Sequence, residues 1–542
     1  MDAGSQSWFD RTIGDLARQF RWSFLPPLMV YFAAGISGLT AIVGTFFVKD
    51  YLDLSAAFLA GLAFWAGLPW VLKMPLGHLV DLIWRRKALL VWLGAALIGA
   101  SLLIMYALVV HTAAMRAVMS AQAWYVLAAL LAPTGYVVQD VVADAMTVEA
   151  VPAVDGAGQP FPEDVSKAMH TTMQTLGRFA IISGLVAVAS LNIFMFSDVE
   201  TLEQTAKVEI YGRIYLFALA IPTISVSGVV LGGIMQRRRA RRLRTHGIAE
   251  ERIATLVFAV PEAAKPNWQI LGGGLVFVGL SITVGLSDIA FAEEIVFAGS
   301  LGIILFLISR LLRELTPGKA SALIGTAVII FVFRSVPLPG PGLTWFEIDV
   351  LGFDERFLSI LTLITSCLTL AGLVVLRPMM ASRPITFIII LLTLAAGLLA
   401  LPNIGLYYGV HEWTAARTNG IVDARFIAVL DTAIESPLGQ IAMIPMLAWI
   451  AKNAPPHLKA TFFAVMASFT NLALSASSLA TKYLNEFLVV AREVKDRHSG
   501  EIIVAADYGN LGVLLILVAL ISVIAPVMAI LAVQASRFRT TD

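Results

Sequence analysis

Apolar residues run in stretches of about 20 along most of the chain, and polar residues gather in the short connections between them. A stretch of ~20 residues is the length of helix that crosses a hydrocarbon core, where a helix satisfies its own backbone hydrogen bonds. Barrel strands would be shorter and would alternate with period two. The pattern predicts helical spans at 24–47, 55–76, 88–110, 120–146, 169–195 and 211–235. A basic segment and polar connection run to 267, followed by spans at 268–289 and 292–312. Six more fit 319–337, 355–376, 384–404, 424–450, 461–486 and 508–533. The expected fold class is an all-α polytopic membrane protein of 14 spans: two six-helix bundles plus an inserted two-helix hairpin. The divisions are an N-terminal bundle at 1–236, a basic cytoplasmic linker at 237–267, the hairpin at 268–313 and a C-terminal bundle at 314–542.

Basic residues give the spans a direction. Arg11, Arg18 and Arg21 precede the first span, and Arg85, Arg86 and Lys87 follow the second. Arg237, Arg238, Arg239, Arg241, Arg242 and Arg244 follow the sixth, and further basic residues recur at every second connection to Arg537 and Arg539. The connection at 147–168 is mainly acidic, but acidic residues count little in the positive-inside bias. Both termini are expected in the cytoplasm, in a bacterial inner membrane. Residues 8–22, with Trp8, Phe9, Ile13, Leu16 and Phe20 on one side, suit an amphipathic interfacial helix and not a cleaved signal peptide.

Composition agrees with this reading and narrows the function. Of 542 residues, 58% are apolar and 14% charged, against roughly 45–50% and about 25% in soluble domains. A formal charge of +1 gives no reason for a nucleic-acid partner. The one cysteine, Cys367, lies in an apolar run and reads as a small buried side chain. No HExxH, nucleophile elbow, phosphate loop or nucleotide fingerprint appears, and the soluble stretch at 237–267 is too short for a catalytic domain. An enzyme, a metal site and an organic cofactor are not expected.

The chemistry lies in polar residues inside spans, where charge is costly and marks function. Asp140 and Asp144 in QDVVADAMTVE are four apart and share one helix face, where they repel unless a proton or cation intervenes. Arg178 lies at a similar depth in span five and is the expected partner of Asp140, leaving Asp144 to carry a proton. Lys73, at the inner end of span two, either snorkels to headgroups or turns inward to meet an anionic substrate or a span-four carboxylate. Span twelve repeats the spacing with Asp431 and Glu435, followed by Pro437, Gly439 and Pro445, which suggest a kinked helix lining a cavity. Lys482 is the expected partner of Asp431, while Gln440 and Asn471 add hydrogen-bonding groups. Gly77, Asp81, Arg85 and Arg86 suit a conformational latch between spans two and three. The glycine-rich hairpin reads as an accessory outside the pathway.

The turn GHLVDLIWRRK resembles the loop between helices two and three of the major facilitator superfamily. PWVLKMPLGHLVD at 69–81, QDVVADAMTVE at 139–149, LGFDERFLSIL at 351–361 and APPHLKATFFAVMASFTN at 454–471 are similar to the folate–biopterin transporter branch. The hairpin lies outside that resemblance. Lys73, Asp140, Asp144 and Glu149 stand at the branch's polar motif positions. Lys459 and the eroded RPMMASRP loop at 377–384 depart from its pattern. The resemblance implies a secondary active transporter of a small organic solute, pterin- or folate-like or otherwise anionic, working by alternating access and driven by a proton gradient. A muropeptide-permease-like transporter and a non-transporting membrane scaffold or assembly factor are the alternatives. A monomer in the lipid bilayer is expected.

Overall fold

The computed structural model describes residues 20–52, 54–152, 161–197, 199, 204–257, 266–287, 289–313, 315–376, 383, 385–436, 459–495 and 502–539. The first bundle consists of α1 (Trp22–Tyr51), α2 (Ala56–Leu82), α3 (Ala88–Val110), α4 (Ala121–Ala150), α5 (Glu163–Met195) and α6 (Ala206–Thr245). A short α7 (Glu250–Val257) leads to the hairpin, α8 (Trp268–Gly285) and α9 (Ala292–Leu312). The second bundle holds α10 (Pro317–Arg334), the short α11 (Pro341–Asp349), α12 (Glu355–Val375), α13 (Thr386–Tyr407), the short α14 (Val410–Arg417), α15 (Ala424–Glu435), α16 (Lys459–Phe487) and α17 (Leu511–Ala535). Between α16 and α17 a small antiparallel ribbon pairs β1 (Val494–Lys495) with β2 (Ile502–Val504).

Among the described residues, 12 helices are long and apolar enough to cross a membrane. The 29-residue α16 fills the place of the thirteenth predicted span, and the twelfth is described through Glu435 of α15 and on to Ser436. The proposed kink at Pro437, Gly439 and Pro445, the residue Gln440, most of the interfacial segment and most of 377–384 lie outside the described residues. One boundary moves. The arginine-rich stretch after 236 is not a loop, because α6 continues through it to Thr245. Arginine is a good helix former, and the helix ends only where Gly247 takes a positive φ of 76° and Ile248 N–H turns back to the Leu243 carbonyl.

Glycines set how closely the first bundle packs. α1 crosses α5 at Gly35 and Gly184, where a Cβ on Gly35 would lie 2.1 Å from the Ile181 carbonyl oxygen. α3 meets α4 at Gly94 and Gly135, where a Cβ on either would lie 2.6 Å from the other's carbonyl oxygen. Without side chains there, backbone lies on backbone and dispersion contacts are dense. The two bundles meet along two seams, α2 against α16 and α5 against α12. The hairpin lies on the first of these, and one apolar core runs through Phe64, Leu68, Phe277, Ile304, Ile329 and Phe469 of both bundles and the hairpin.

Gly35→Val should therefore force α1 and α5 apart, costing about 1–3 kcal/mol or more. Gly302→Ala, where a Cβ meets nothing within 4 Å, serves as the control. A clearly lowered melting temperature is expected for Gly35→Val and an unchanged one for Gly302→Ala; equal melts would refute the close-packing argument.

Candidate functional site

Helix α2 breaks near its middle. Its backbone leaves the helical ladder at Leu72 and resumes at Lys73, with Pro69 before the break and Pro75 after it. Proline removes a backbone donor and crowds the preceding turn, so the break follows from the PWVLKMP sequence. Helical side chains lean toward the N-terminus of their helix, which carries Lys73 toward the bundle middle instead of toward the basic end.

Lys73 Nζ lies 2.6 Å from Asp140 Oδ2 and 2.9 Å from Asp144 Oδ2. Tyr31 of α1 donates its hydroxyl to Asp144 Oδ1 at 2.7 Å. Three helices thus hold one ammonium between two carboxylates, and the group carries a net charge of −1 when both acids are ionised. Asp144 is the open member, its side chain 47% exposed against 18% for Asp140. Thr147 Oγ1 donates to the Asp144 carbonyl and accepts from Gln174 of α5, which braces this part of α4.

The expected Asp140–Arg178 pair does not form. Gly177 is the α5 residue that faces α1, since a Cβ there would lie 2.9 Å from the Tyr31 ring. Arg178 sits about 100° further round the helix, exposed, with no ion pair among the described residues. The Asp431–Lys482 pair is also absent. Asp431 accepts from Asn403 Nδ2 of α13 at 3.3 Å, while Lys482 faces the hairpin, 3.5 Å from Glu293 and 3.7 Å from Glu486. Glu435 is exposed. Asn471 donates to the Trp70 carbonyl at the loosened part of α2, a strut from one bundle to the other.

At the basic end, Gly77 packs toward Val141 of α4, while Asp81, Arg85 and Arg86 are exposed. The buried charge pair of this turn is Lys87–Glu149 at 2.5 Å, with Gln236 of α6 donating to the same carboxylate. Lys87 also lies 4.0 Å over the Trp84 ring. Burial lowers the Lys87 ammonium from its usual range, against the opposing pull of Glu149. The four motif positions Lys73, Asp140, Asp144 and Glu149 are therefore all used in ion pairs within the first bundle.

The opposite end holds a polar assembly that the sequence reading missed. Lys49 of α1 lies 2.5 Å from Asp349 of α11 and 3.3 Å from Asp50. Arg492, before β1, donates to the Lys49 carbonyl at 2.6 Å and the Leu54 carbonyl at 2.5 Å. Tyr211 of α6 donates to Glu355 of α12, and Arg356 donates to the Ser197 carbonyl. Each contact joins one bundle to the other, apart from the neighbouring Lys49–Asp50 pair. Tyr508 adds a hydrogen bond to Asp349, and burial, with Asp349 second, holds its phenol above the usual range as a neutral donor. One signal was available: Arg492, Lys495 and Arg497 fall in a connection of the sequence where the positive-inside expectation places no basic residues.

Comparison with known proteins agrees with this architecture. Residues 168–541 match the BT1 family. A folate–biopterin transporter of Synechocystis sp. (strain ATCC 27184 / PCC 6803 / Kazusa) is 24% identical over 498 residues, 91% of this chain and 80% of that protein. Among solved structures, a POT family transporter in complex with a thioalcohol-conjugated peptide superposes with a TM-score of 0.60. It covers 95% of this chain and 96% of its own at 14% identity. A mutant of the nucleoside transporter NupG superposes with a TM-score of 0.52 over 94% of this chain and 98% of its own, at 12% identity. The fold is of major-facilitator type.

Because Lys49 and Asp349 are both largely buried, Lys49→Met should strand a carboxylate and destabilise the protein by about 3–5 kcal/mol. Lys49→Met with Asp349→Asn should recover much of that loss in a thermal melt. A double variant as unstable as the single would show that the pair is not the source.

Proposed function

The chain belongs to the BT1 family of membrane transporters, and from that premise we propose that it moves a small organic anion together with a proton by alternating access. One observation carries this reading: Lys73 is shared by two carboxylates, leaving one uncompensated negative charge that a single proton neutralises. Two carboxylates share one ammonium, and the exposure of Asp144 opens that carboxylate to a proton from water. Asp144 is the carrier in this mechanism, Tyr31 supplies it with a neutral donor, and Lys73 and Asp140 set the local field.

This division of labour reassigns the cations. Lys73 is committed to the carboxylates, so Arg178, exposed beside the Tyr31 contact, is the group that meets an anionic cargo. Its guanidinium suits bidentate recognition of a carboxylate. A pterin- or folate-like compound fits that chemistry, with support from the name of the cyanobacterial relative. The basic turns at Arg85–Lys87 and along α6 support a cytoplasmic placement of both termini, in a bacterial inner membrane. The clasp around Lys49, Asp349 and Arg492 then closes the outer side, with the exposed Asp81, Arg85 and Arg86 as the inner element that changes partners.

In proteoliposomes, Asp144→Asn should abolish accumulation against a gradient while leaving counterflow exchange, and Arg178→Gln should raise KM for the anion. Substrate is identified first by thermal shift against pterins, folates, muropeptides, nucleosides and organic acids at two pH values, since a ligand that binds the native state raises its melting temperature. Loss of counterflow in Asp144→Asn would show that this carboxylate does more than couple. Accumulation that survives in the same variant would remove the proton-carrier assignment.

A further inference from the structure

α6 carries its charge on a helix instead of in a loop. Past Met235 the helix continues to Thr245 through Arg237, Arg238, Arg239, Arg241, Arg242 and Arg244. Ala240 and Leu243 are buried on one side of this extension, where α7 folds back and covers them with Ile253 and Val257. Arg244 is joined to Glu250 of α7 by two hydrogen bonds, which close the turn between the helices. The opposite face carries Arg237, Arg238, Arg241 and Arg242, all exposed and none in an ion pair among the described residues.

That face continues the outward side of the span. Val230, Ile234, Arg237 and Arg241 recur at intervals of four, three and four, so they form one stripe along α6. Val230 and Ile234 are 47% and 42% exposed. The other side of the helix packs inward at Gly228, where a Cβ would lie 2.8 Å from the Pro26 carbonyl oxygen of α1. The stripe therefore points away from the bundle, apolar where acyl chains surround it and cationic beyond. At 1.5 Å per residue, Arg237 stands about 3 Å past Met235 and Arg242 about 10 Å past it. A headgroup layer is roughly 5–8 Å deep, and the field of its phosphates reaches about one Debye length further, ~8 Å at physiological salt. A basic loop would satisfy the positive-inside bias equally well; the helix adds a fixed direction, toward the surrounding leaflet.

We propose that Arg237, Arg238, Arg241 and Arg242 form a binding surface for the phosphate headgroups of anionic phospholipids in the bilayer around the protein. Arg85 and Arg86, exposed in the turn before α3, extend it. The two basic segments are brought together by one carboxylate: Glu149 is held by Lys87 at 2.5 Å and accepts from Gln236, the residue before Arg237, at 3.3 Å. Guanidinium suits this ligand, because its planar fork donates two parallel hydrogen bonds to a phosphate. Headgroups bound there hold the end of α6 against the leaflet while α7 keeps the opposite face covered. The surface shares no residue with the Lys73 group, so it stands whether or not Asp144 couples transport.

The test is the melting temperature of the full-length protein in non-ionic detergent, titrated with dioleoyl phosphatidylglycerol or dioleoyl phosphatidylcholine. The acyl chains are the same, so a difference reports the headgroup. Wild type should melt higher with phosphatidylglycerol than with phosphatidylcholine, and added salt should shrink the gain. Each arginine near an anionic surface contributes a factor of about five in affinity. Arg238→Gln with Arg242→Gln should therefore raise the phosphatidylglycerol concentration at half-shift by about 25-fold. Arg238→Lys with Arg242→Lys should keep most of the shift. Arg537→Gln with Arg539→Gln removes equal charge from the exposed end of the chain and should leave the midpoint in place. A midpoint moved equally by that pair overturns the proposal, because any basic residue would then serve. Equal melts with the two lipids in wild type overturn it without any variant, so a failure of Arg238→Gln with Arg242→Gln to fold leaves the test decisive. Inorganic phosphate that raises the melt as much as phosphatidylglycerol, at the same phosphate concentration, would make this a soluble-anion site and overturns it too.

Discussion

A charge buried among helices in a membrane has to find a counter-charge or a proton, and the arrangement of this protein follows from how each buried charge meets that demand. Lys73 meets it by lying between two aspartates, which draws α2 against α4 and fixes where Tyr31 of α1 must stand. Lys87 meets it with Glu149 and the face of Trp84 at the basic end. Lys49 and Arg492 meet it across the gap between bundles, one with Asp349 and the other with bare carbonyls at 49 and 54. Asp431 has no cation among the described residues, and that exception marks the second bundle.

The two bundles are therefore unequal by construction. The first is closed on itself by glycine contacts at Gly35–Gly184 and Gly94–Gly135 and by ion pairs drawn from its own helices. Such packing leaves this half little compliance. The second half reaches outward with a short helix, a small ribbon and Arg492, and supplies most of the side chains that cross to its neighbour. A relative motion of the halves would have to break the Lys49, Arg492 and Tyr211 contacts.

Much of the fold was legible because hydrophobic length alone marks a span, and the i, i+4 spacing of Asp140 and Asp144 was enough to place both on one face. What escaped was rotation about helix axes. Arg178 was placed at the right depth, yet Gly177 is the residue that faces α1, and a shift of one residue turns a side chain by about 100°. Lys482 was assigned to Asp431 on the same reasoning and instead faces a glutamate of the hairpin, an element that falls within the residues matching the BT1 family. Depth can be counted along a sequence, whereas azimuth depends on how every helix packs. Tyr31 and Asn403 were invisible for a simpler reason: an isolated tyrosine or asparagine in an apolar run carries no pattern.

The inserted hairpin gives the molecule a sidedness toward lipid that a plain two-bundle transporter would lack. It touches α2 through Pro75 at Gly274, Trp65 at Glu293 and His78 at the Asn267 amide, and touches α16 through Lys482 and Tyr483. Laid along the α2–α16 seam, it shuts that flank against the acyl chains. A molecule dissolved in the bilayer then has no lateral doorway there. The seam between α5 and α12 has no hairpin laid along it among the described residues, so the two flanks present different surfaces to the acyl chains.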